Sequence, residues 1–215
     1  MNVSNIILAG GASARMGRPK ALLDFDGRSC LALVLSACLE SVSSETILVL
    51  GVDEAPIRAA LSGMRFNGSG VPASLRVVVN GHPERGQTSS LKTGLEGIAG
   101  DADGFLVLPI DYPLITGSDL DALILRFEGR QRRRSIFIAA HEGERGHPVL
   151  FAASHRGAIL ELGDDEPLNE YVRVREGETE VVPMPGDGVV LSMNTPEQYE
   201  HLLSVYRARE AASHA

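Results

Sequence analysis

A short aliphatic run that empties into two glycines, Asn5-Ile6-Ile7-Leu8-Ala9-Gly10-Gly11, constrains this chain more than any other stretch. Ile6 to Leu8 read as a buried strand, and the glycines let the backbone turn through positive φ and approach a ligand closely. Successive backbone N–H groups in such a turn form an anion-binding concavity. Arg15 and Lys20 follow at fixed offsets and add positive charge. Together these features suit the phosphates of a nucleoside triphosphate. The spacing is not that of a Walker A loop, because Lys20 follows Arg18-Pro19 and precedes Ala21 in place of Ser or Thr. No G-x-G-x-x-G dinucleotide fingerprint can be read here.

The chain beyond the turn repeats one pattern. Apolar residues Leu31, Val34, Leu35, Cys38 and Leu39 line one face of a helix over about 30–42. Strands follow at 46–51 and 75–80, separated by a helix at 56–64 and a polar Gly/Ser/Asn loop at 65–74. This β-α-β-α-β order implies a parallel sheet with right-handed crossovers. Thr88 or Ser89 can cap a helix running to Ile98. Gly104 to Ile110 is the most continuously apolar strand, hence central, and it ends in Asp111-Tyr112-Pro113-Leu114. An Asp at the carboxyl end of a central strand faces the ligand crevice of an open α/β sheet. Mg²⁺ prefers carboxylate oxygen with substrate phosphates completing its octahedron, which makes Asp111 the candidate metal ligand. Asp101-Ala102-Asp103 sits at the opposite end of that strand and reads as a solvated loop. The Arg130 to Arg134 cluster reads as solvated charge at a helix C-terminus.

The strand at 135–140, the polar turn at 141–146 and the strand opening with Gly146-His147-Pro148 read as a hairpin. Short strands at 180–184 and 188–193 lead to Asn194-Thr195-Pro196. Thr195 as N-cap, Pro196 at N1 and Gln198 at N3 form a capping box for a C-terminal helix. Residues 1–210 are expected to form one domain, with an acceptor wall at about 135–190 and a frayed tail at 211–215.

Composition narrows the function classes. Twenty basic and 28 acidic residues leave a net charge of −8, which argues against a general nucleic-acid or anionic-membrane binder. Cys30 and Cys38 are the only cysteines, and eight helical positions hold them roughly 12 Å apart, too far to bridge. That excludes a disulfide scaffold and a Cys-based zinc site. The N-terminus enters a strand directly, with no signal peptide apparent, and no apolar run reaches membrane-span length. A cytoplasmic location is expected.

The stretch Leu8-Ala9-Gly10-Gly11-Ala12-Ser13-Ala14-Arg15-Met16-Gly17-Arg18-Pro19-Lys20 resembles the LAGGxSxRMGxxK signature of the MobA/MocA-like nucleotidyltransferases, which attach a nucleotide to molybdopterin. Four further elements follow in the family's order. Gly86, Gln87, Ser90 and Leu91 match its G-Q-x-x-S-L element, and Asp111 to Leu114 its D-x-P-L motif. Gly146, His147, Pro148 and Phe151 match G-H-P-x-x-F, and Asn194 stands before the T-P pair, where members carry Asp or Asn. The stretch 154–176 departs from the pattern: the GDxGAR loop of cytidylyl members is only partly echoed at Gly163 to Glu166. That segment is expected to face the acceptor.

The resemblance implies a three-layer α/β/α Rossmann-like fold of the nucleotide-diphospho-sugar transferase type, with a mostly parallel mixed sheet. It implies an NTP, CTP or GTP with CTP favoured, held by Leu8, Ala9, Gly10, Gly11, Arg15, Lys20, Gly86, Gln87, Ser90 and Asp111. Mg²⁺ would sit on Asp111 and Asn194, and His147 and Pro148 would face a phosphorylated acceptor such as the molybdopterin cofactor. Arg15 would stabilise the leaving pyrophosphate and Lys20 the α-phosphoryl group, so the catalytic set is Arg15, Lys20 and Asp111. A molybdoenzyme or its chaperone is the implied downstream partner. Two alternatives stay open: a sibling transferase acting on a sugar phosphate or other phosphorylated alcohol, and a non-catalytic nucleotide-binding module. A hydrolase finds no support, with no G-x-S-x-G elbow and no His/Cys metal cluster.

Overall fold

The computed structural model describes residues 1–11, 16–66, 68–131 and 133–213. Nine strands alternate with helices in the expected way. They are β1 (Val3–Ala9), β2 (Asp24–Phe25), β3 (Arg28–Ser29), β4 (Glu45–Leu50), β5 (Leu75–Val79), β6 (Gly104–Pro109), β7 (Ile136–His141), β8 (Glu144–Ala152) and β9 (Thr179–Pro183). The helices are α1 (Cys30–Glu40), α2 (Glu54–Gly63), α3 (Gln87–Glu96), α4 (Gly117–Glu128), α5 (His155–Leu160), α6 (Leu168–Arg173) and α7 (Pro196–Ser213). Seven strands form one sheet in the order β5-β4-β1-β6-β8-β7-β9, and β2 with β3 makes a separate small hairpin. β5, β4, β1 and β6 run parallel. β8 lies antiparallel to both β6 and β7, and β9 returns parallel to β7. This is the mixed, mostly parallel Rossmann-like sheet expected, with β6 at its centre.

Alternation along the strands divides the core in two, because successive side chains point to opposite faces. Ile7, Leu48, Leu50, Leu106 and Leu108 pack beneath α1, α2, α4 and α7. Ile6, Leu8, Ile47, Val49, Phe105 and Val107 pack against α3, α5 and α6. Helix α3 lies very close to β1: a Cβ on Gly94 would stand 2.4 Å from Cγ2 of Ile6, so glycine is required for this approach.

Three local expectations are corrected. Helix α3 begins at Gln87 with Gly86 as its N-cap residue, and Thr88 and Ser89 lie inside its first turn. Their hydroxyls are engaged elsewhere, Thr88 Oγ1 donating to the Glu166 carbonyl and Ser89 Oγ meeting Asn80. The stretch 188–193 is not a strand. It opens in a single 3₁₀ turn, Asp187–Val189, packed so closely that a Cβ on Gly188 would strike the Leu114 carbonyl. Finally, the chain does not fray at 211: α7 continues through Ser213. Buried Tyr199, Leu202, Leu203 and Tyr206 hold it, and Arg209 donates to the Leu114 carbonyl near its end.

Smaller features agree with expectation. Thr195 Oγ1 accepts from Gln198 N while Gln198 Oε1 accepts from Thr195 N, completing the capping box. Cys30 and Cys38 are free and buried, and burial pushes the Cys38 thiol up to about 12. Arg130 stacks on Phe127 and Arg134 binds the Thr179 carbonyl, so these two guanidiniums serve the helix end and the sheet edge. No described helix is long and apolar enough to cross a membrane.

Candidate active site

The carboxyl ends of β1, β4 and β6 open on a cavity of about 410 Å³. Its floor is made where β1 ends. A Cβ on Gly51, just after β4, would fall 2.4 Å from the Gly10 carbonyl, so the two strand ends meet only because both residues are glycine. Gly10 also admits Ser90 from α3, whose Oγ would lie 2.9 Å from a Cβ at that position. Asn80, buried at the end of β5, donates to both Ser89 Oγ and Ser90 Oγ at 3.1 Å and accepts from His82 N at 2.9 Å. It thereby pins the N-terminal turn of α3 to the sheet. The exposed amides and positive dipole end of that helix face the cavity, a favourable place for anionic groups. Gly86, which starts the helix, has φ 103° and ψ −174°, a region open essentially only to glycine.

The polar centre is built from three distant segments. Lys20 Nζ donates to Asp111 Oδ2 at 3.0 Å and to Asn194 Oδ1 at 2.7 Å. Asp111 follows central β6, and the N–H of Met193 donates to the Asp111 carbonyl at 3.0 Å, placing Asn194 alongside. Gln198 Oε1 accepts from the Asn194 N–H and fixes that residue's backbone. Two oxygen donors therefore converge on one point beside a lysine ammonium. That donor set, one carboxylate and one amide oxygen, suits a hard cation whose remaining ligands are phosphate oxygens and water. Among the described residues no group of three or more His, Cys, Asp or Glu could hold a metal without such help.

Of the expected nucleotide-binding residues, Leu8, Ala9, Gly10, Gly11, Lys20, Gly86, Gln87, Ser90 and Asp111 line this cavity, and Asn194 joins them. Arg15 lies outside the described residues. The structure adds Met16, Asp53, Pro83, Pro109 and Ile110. Asp53 makes no capping hydrogen bond at the start of α2, and burial raises its carboxyl above the ordinary value. Its sequence signal was faint, an Asp three residues after a strand. Asn80 was legible only as a polar residue ending an apolar strand.

A second cavity of about 730 Å³ adjoins the first and shares Leu8, Gly86 and Gln87 with it. The hairpin β7–β8 and the segment 164–176 form its far wall. His147 lines it, with its ring 4.9 Å from that of Tyr112. Desolvation lowers the His147 pKa, outweighing a hydrogen bond to the Val107 backbone and the Asp111 charge, so the imidazole is held neutral. Its Nδ1 has no hydrogen-bond partner. Pro148, joined to His147 by a cis peptide bond, is buried and does not line this cavity. Burial together with the nearby Asp111 charge raises the Tyr112 phenol.

Comparison with known proteins agrees with this geometry. The family model of the MobA-like NTP transferase domain matches residues 5–181. A probable molybdenum cofactor guanylyltransferase of Carboxydothermus hydrogenoformans is 27% identical over 225 residues, covering 97% of this chain and 99% of that one. The nicotine blue oxidoreductase of Paenarthrobacter nicotinovorans is 25% identical over 210 residues, covering 94% and 96%. The crystal structure of Rv0371c from Mycobacterium tuberculosis superposes with a TM-score of 0.78 at 25% identity, covering 95% and 98%. With a matching model across most of its length and a cleft at the strand ends that gathers nine of the expected binding residues, the chain belongs to the MobA-like NTP transferase family.

Proposed function

We propose that the protein transfers a nucleoside monophosphate from an NTP, with CTP favoured, to a phosphorylated small-molecule acceptor such as the molybdopterin cofactor. The observation that carries this reading is the convergence of Lys20, Asp111 and Asn194 at the mouth of a glycine-floored cavity. The triphosphate lies over Gly10 and Gly11 and toward the start of α3, with the base near Gln87. Asp53 offers an acceptor to the exocyclic amino group that cytosine carries and uracil lacks. An acceptor phosphate oxygen attacks the α-phosphorus in line. The bond to the β-phosphate breaks, and pyrophosphate leaves with the electron pair.

Lys20 balances charge on the α-phosphoryl oxygens, and Arg15 is assigned the leaving pyrophosphate. Asp111 and Asn194 would hold Mg²⁺, which supplies charge neutralisation between the reacting phosphates when bound. An ionised phosphate nucleophile needs no general base, so the chain contributes positioning and electrostatics. Neutral His147 and the neighbouring hairpin shape the acceptor side. Such a reaction is at home in the cytoplasm, where a molybdoenzyme or its chaperone would take the product.

Thermal unfolding against CTP, GTP, ATP and UTP, each with and without Mg²⁺, tests the reading. A ligand at 100 times its Kd stabilises by about 2.7 kcal/mol. A Mg²⁺-dependent shift with CTP supports the cytidylyl assignment, and a shift with GTP alone moves it to guanylyl transfer. No shift with any nucleotide overturns the nucleotide-binding reading. Because one relative is named an oxidoreductase, pyrophosphate release is the product measurement that discriminates.

A further inference from the structure

The wall of the second cavity carries its own counter-ions. Three guanidiniums border it, and each already faces a carboxylate. Arg145 makes two bonds to Glu176, at 2.8 and 3.2 Å. Arg173 binds Glu170 through both Nε and Nη2, at 2.8 and 2.5 Å. Arg85 reaches Asp164 at 3.3 Å, and Lys92 holds the same carboxylate at 2.8 Å from behind. Asp165 and Glu166 line the cavity as well, so five carboxylates stand against three guanidiniums there. His147, neutral through burial, adds no positive charge. The floor is apolar: Leu8, Leu91, Val107, Ile138 and Val149 all contribute.

An anion entering such a cavity meets excess negative charge and must break an existing ion pair to gain a guanidinium. A body with apolar faces and N–H or amino donors meets carboxylate acceptors and a greasy floor instead. The anion-attracting groups lie at the other end, where the cavity joins the first one near Gly86 and Gln87 and the Lys20 centre lies beyond. We propose that the acceptor carries a single phosphate directed toward the Lys20 centre, and a flat or apolar body bearing N–H or amino donors with no second anionic group. The proposal rests on the nucleotidyl-transfer reading, since that reading makes this cavity the acceptor's. Glu170 and Glu176 are its specificity-determining residues: by holding Arg173 and Arg145 they withhold both guanidiniums from anionic acceptors.

The test is calorimetric binding of three probes to the full chain, with and without the Mg²⁺–nucleotide that stabilises it. Pyridoxamine 5′-phosphate has a flat ring, donor groups and one phosphate. Ribose 5-phosphate has one phosphate on a polyol, and 6-phosphogluconate adds a carboxylate. Pyridoxamine 5′-phosphate should bind at least tenfold more tightly than 6-phosphogluconate. In the Glu170→Gln/Glu176→Gln variant that ratio should shrink or invert, as two guanidiniums become available. Both glutamates are about half exposed, so the variant is expected to fold, and single Glu176→Gln gives the same reading with a smaller change. Equal or tighter binding of 6-phosphogluconate by the wild type overturns the proposal. So does an unaltered ratio in the variants, or failure of all three probes to bind. Loss of nucleotide binding in the thermal assay is separate, and strikes the transfer reading itself.

Discussion

The two cavities share a wall and solve opposite electrostatic problems. In the first, a lysine ammonium is shared between one carboxylate and one amide oxygen at the ends of two segments. Incoming phosphates can compete for that ammonium at modest cost, because the amide carries no charge. In the second, each guanidinium faces a full carboxylate, twice in a two-bonded geometry. The first cavity is therefore poised for charge and the second is closed to it. Function on this fold thus divides between a strand-end cleft that handles phosphate and a hairpin wall that selects the molecule to be modified.

Asp111→Ala should break this contrast most severely, lowering the rate of pyrophosphate release by about 10³-fold or more if phosphate chemistry resides in the first cavity. A rise in KM with an unchanged kcat would instead make Asp111 a mere binding residue. Lys20→Met comes next, with an expected loss of about 10²-fold in kcat and an almost unaltered unfolding midpoint. Gly86→Ala probes the shared wall. Forcing a Cβ onto φ 103° and ψ −174° should cost about 1–3 kcal/mol in urea unfolding and weaken ligands of both cavities together. If only nucleotide binding suffers, the wall is less shared than the geometry implies.

The smallest effect concerns the support of the second wall. Buried His155 bridges Tyr171 Oη and Ser135 Oγ, each at 2.8 Å, and burial lowers its pKa against the opposing pull of Glu178. The folded state thus prefers the neutral ring, while the unfolded chain takes up a proton near pH 6.5. Stability is fully present above that value and declines as pH falls through the lower folded pKa. His155→Gln should flatten the fall in unfolding midpoint between pH 7 and pH 5, leaving the His147 contribution. An unchanged slope would show that His155 does not titrate in the native wall.

Legibility followed the same division. The strand-end cleft could be read because its residues are locally necessary: glycines where backbones meet, and an Asp ending the central strand. Gly10, Gln87, Ser90 and Asp111 were all in view. What escaped were partners defined only in three dimensions. Asn80 matters because Ser89 and Ser90 are folded back onto it, and Asp53 because a strand end two places away exposes it to the cleft. The wall at 164–176 was legible only as a departure, since ion pairing such as Arg145 with Glu176 spans 31 positions and leaves no local pattern. The stretch at 188–193 looked like a strand because Val189-Val190-Leu191 are apolar. Close contact with the Leu114 carbonyl curls its start into a turn.

The hydrogen bond from Met193 to Asp111 also sets a timetable. Lys20 and Asn194 are 174 positions apart, and only that late-made segment brings the amide oxygen to the carboxylate. At about 5–20 residues per second of synthesis, roughly ten to thirty-five seconds separate the emergence of the lysine from that of its amide partner. A growing chain can lay down β1, β4, β5 and β6 and the glycine floor well before this. It remains without the paired oxygens until the start of α7 has docked, so the ribosome-bound protein passes through its synthesis as an unarmed cleft.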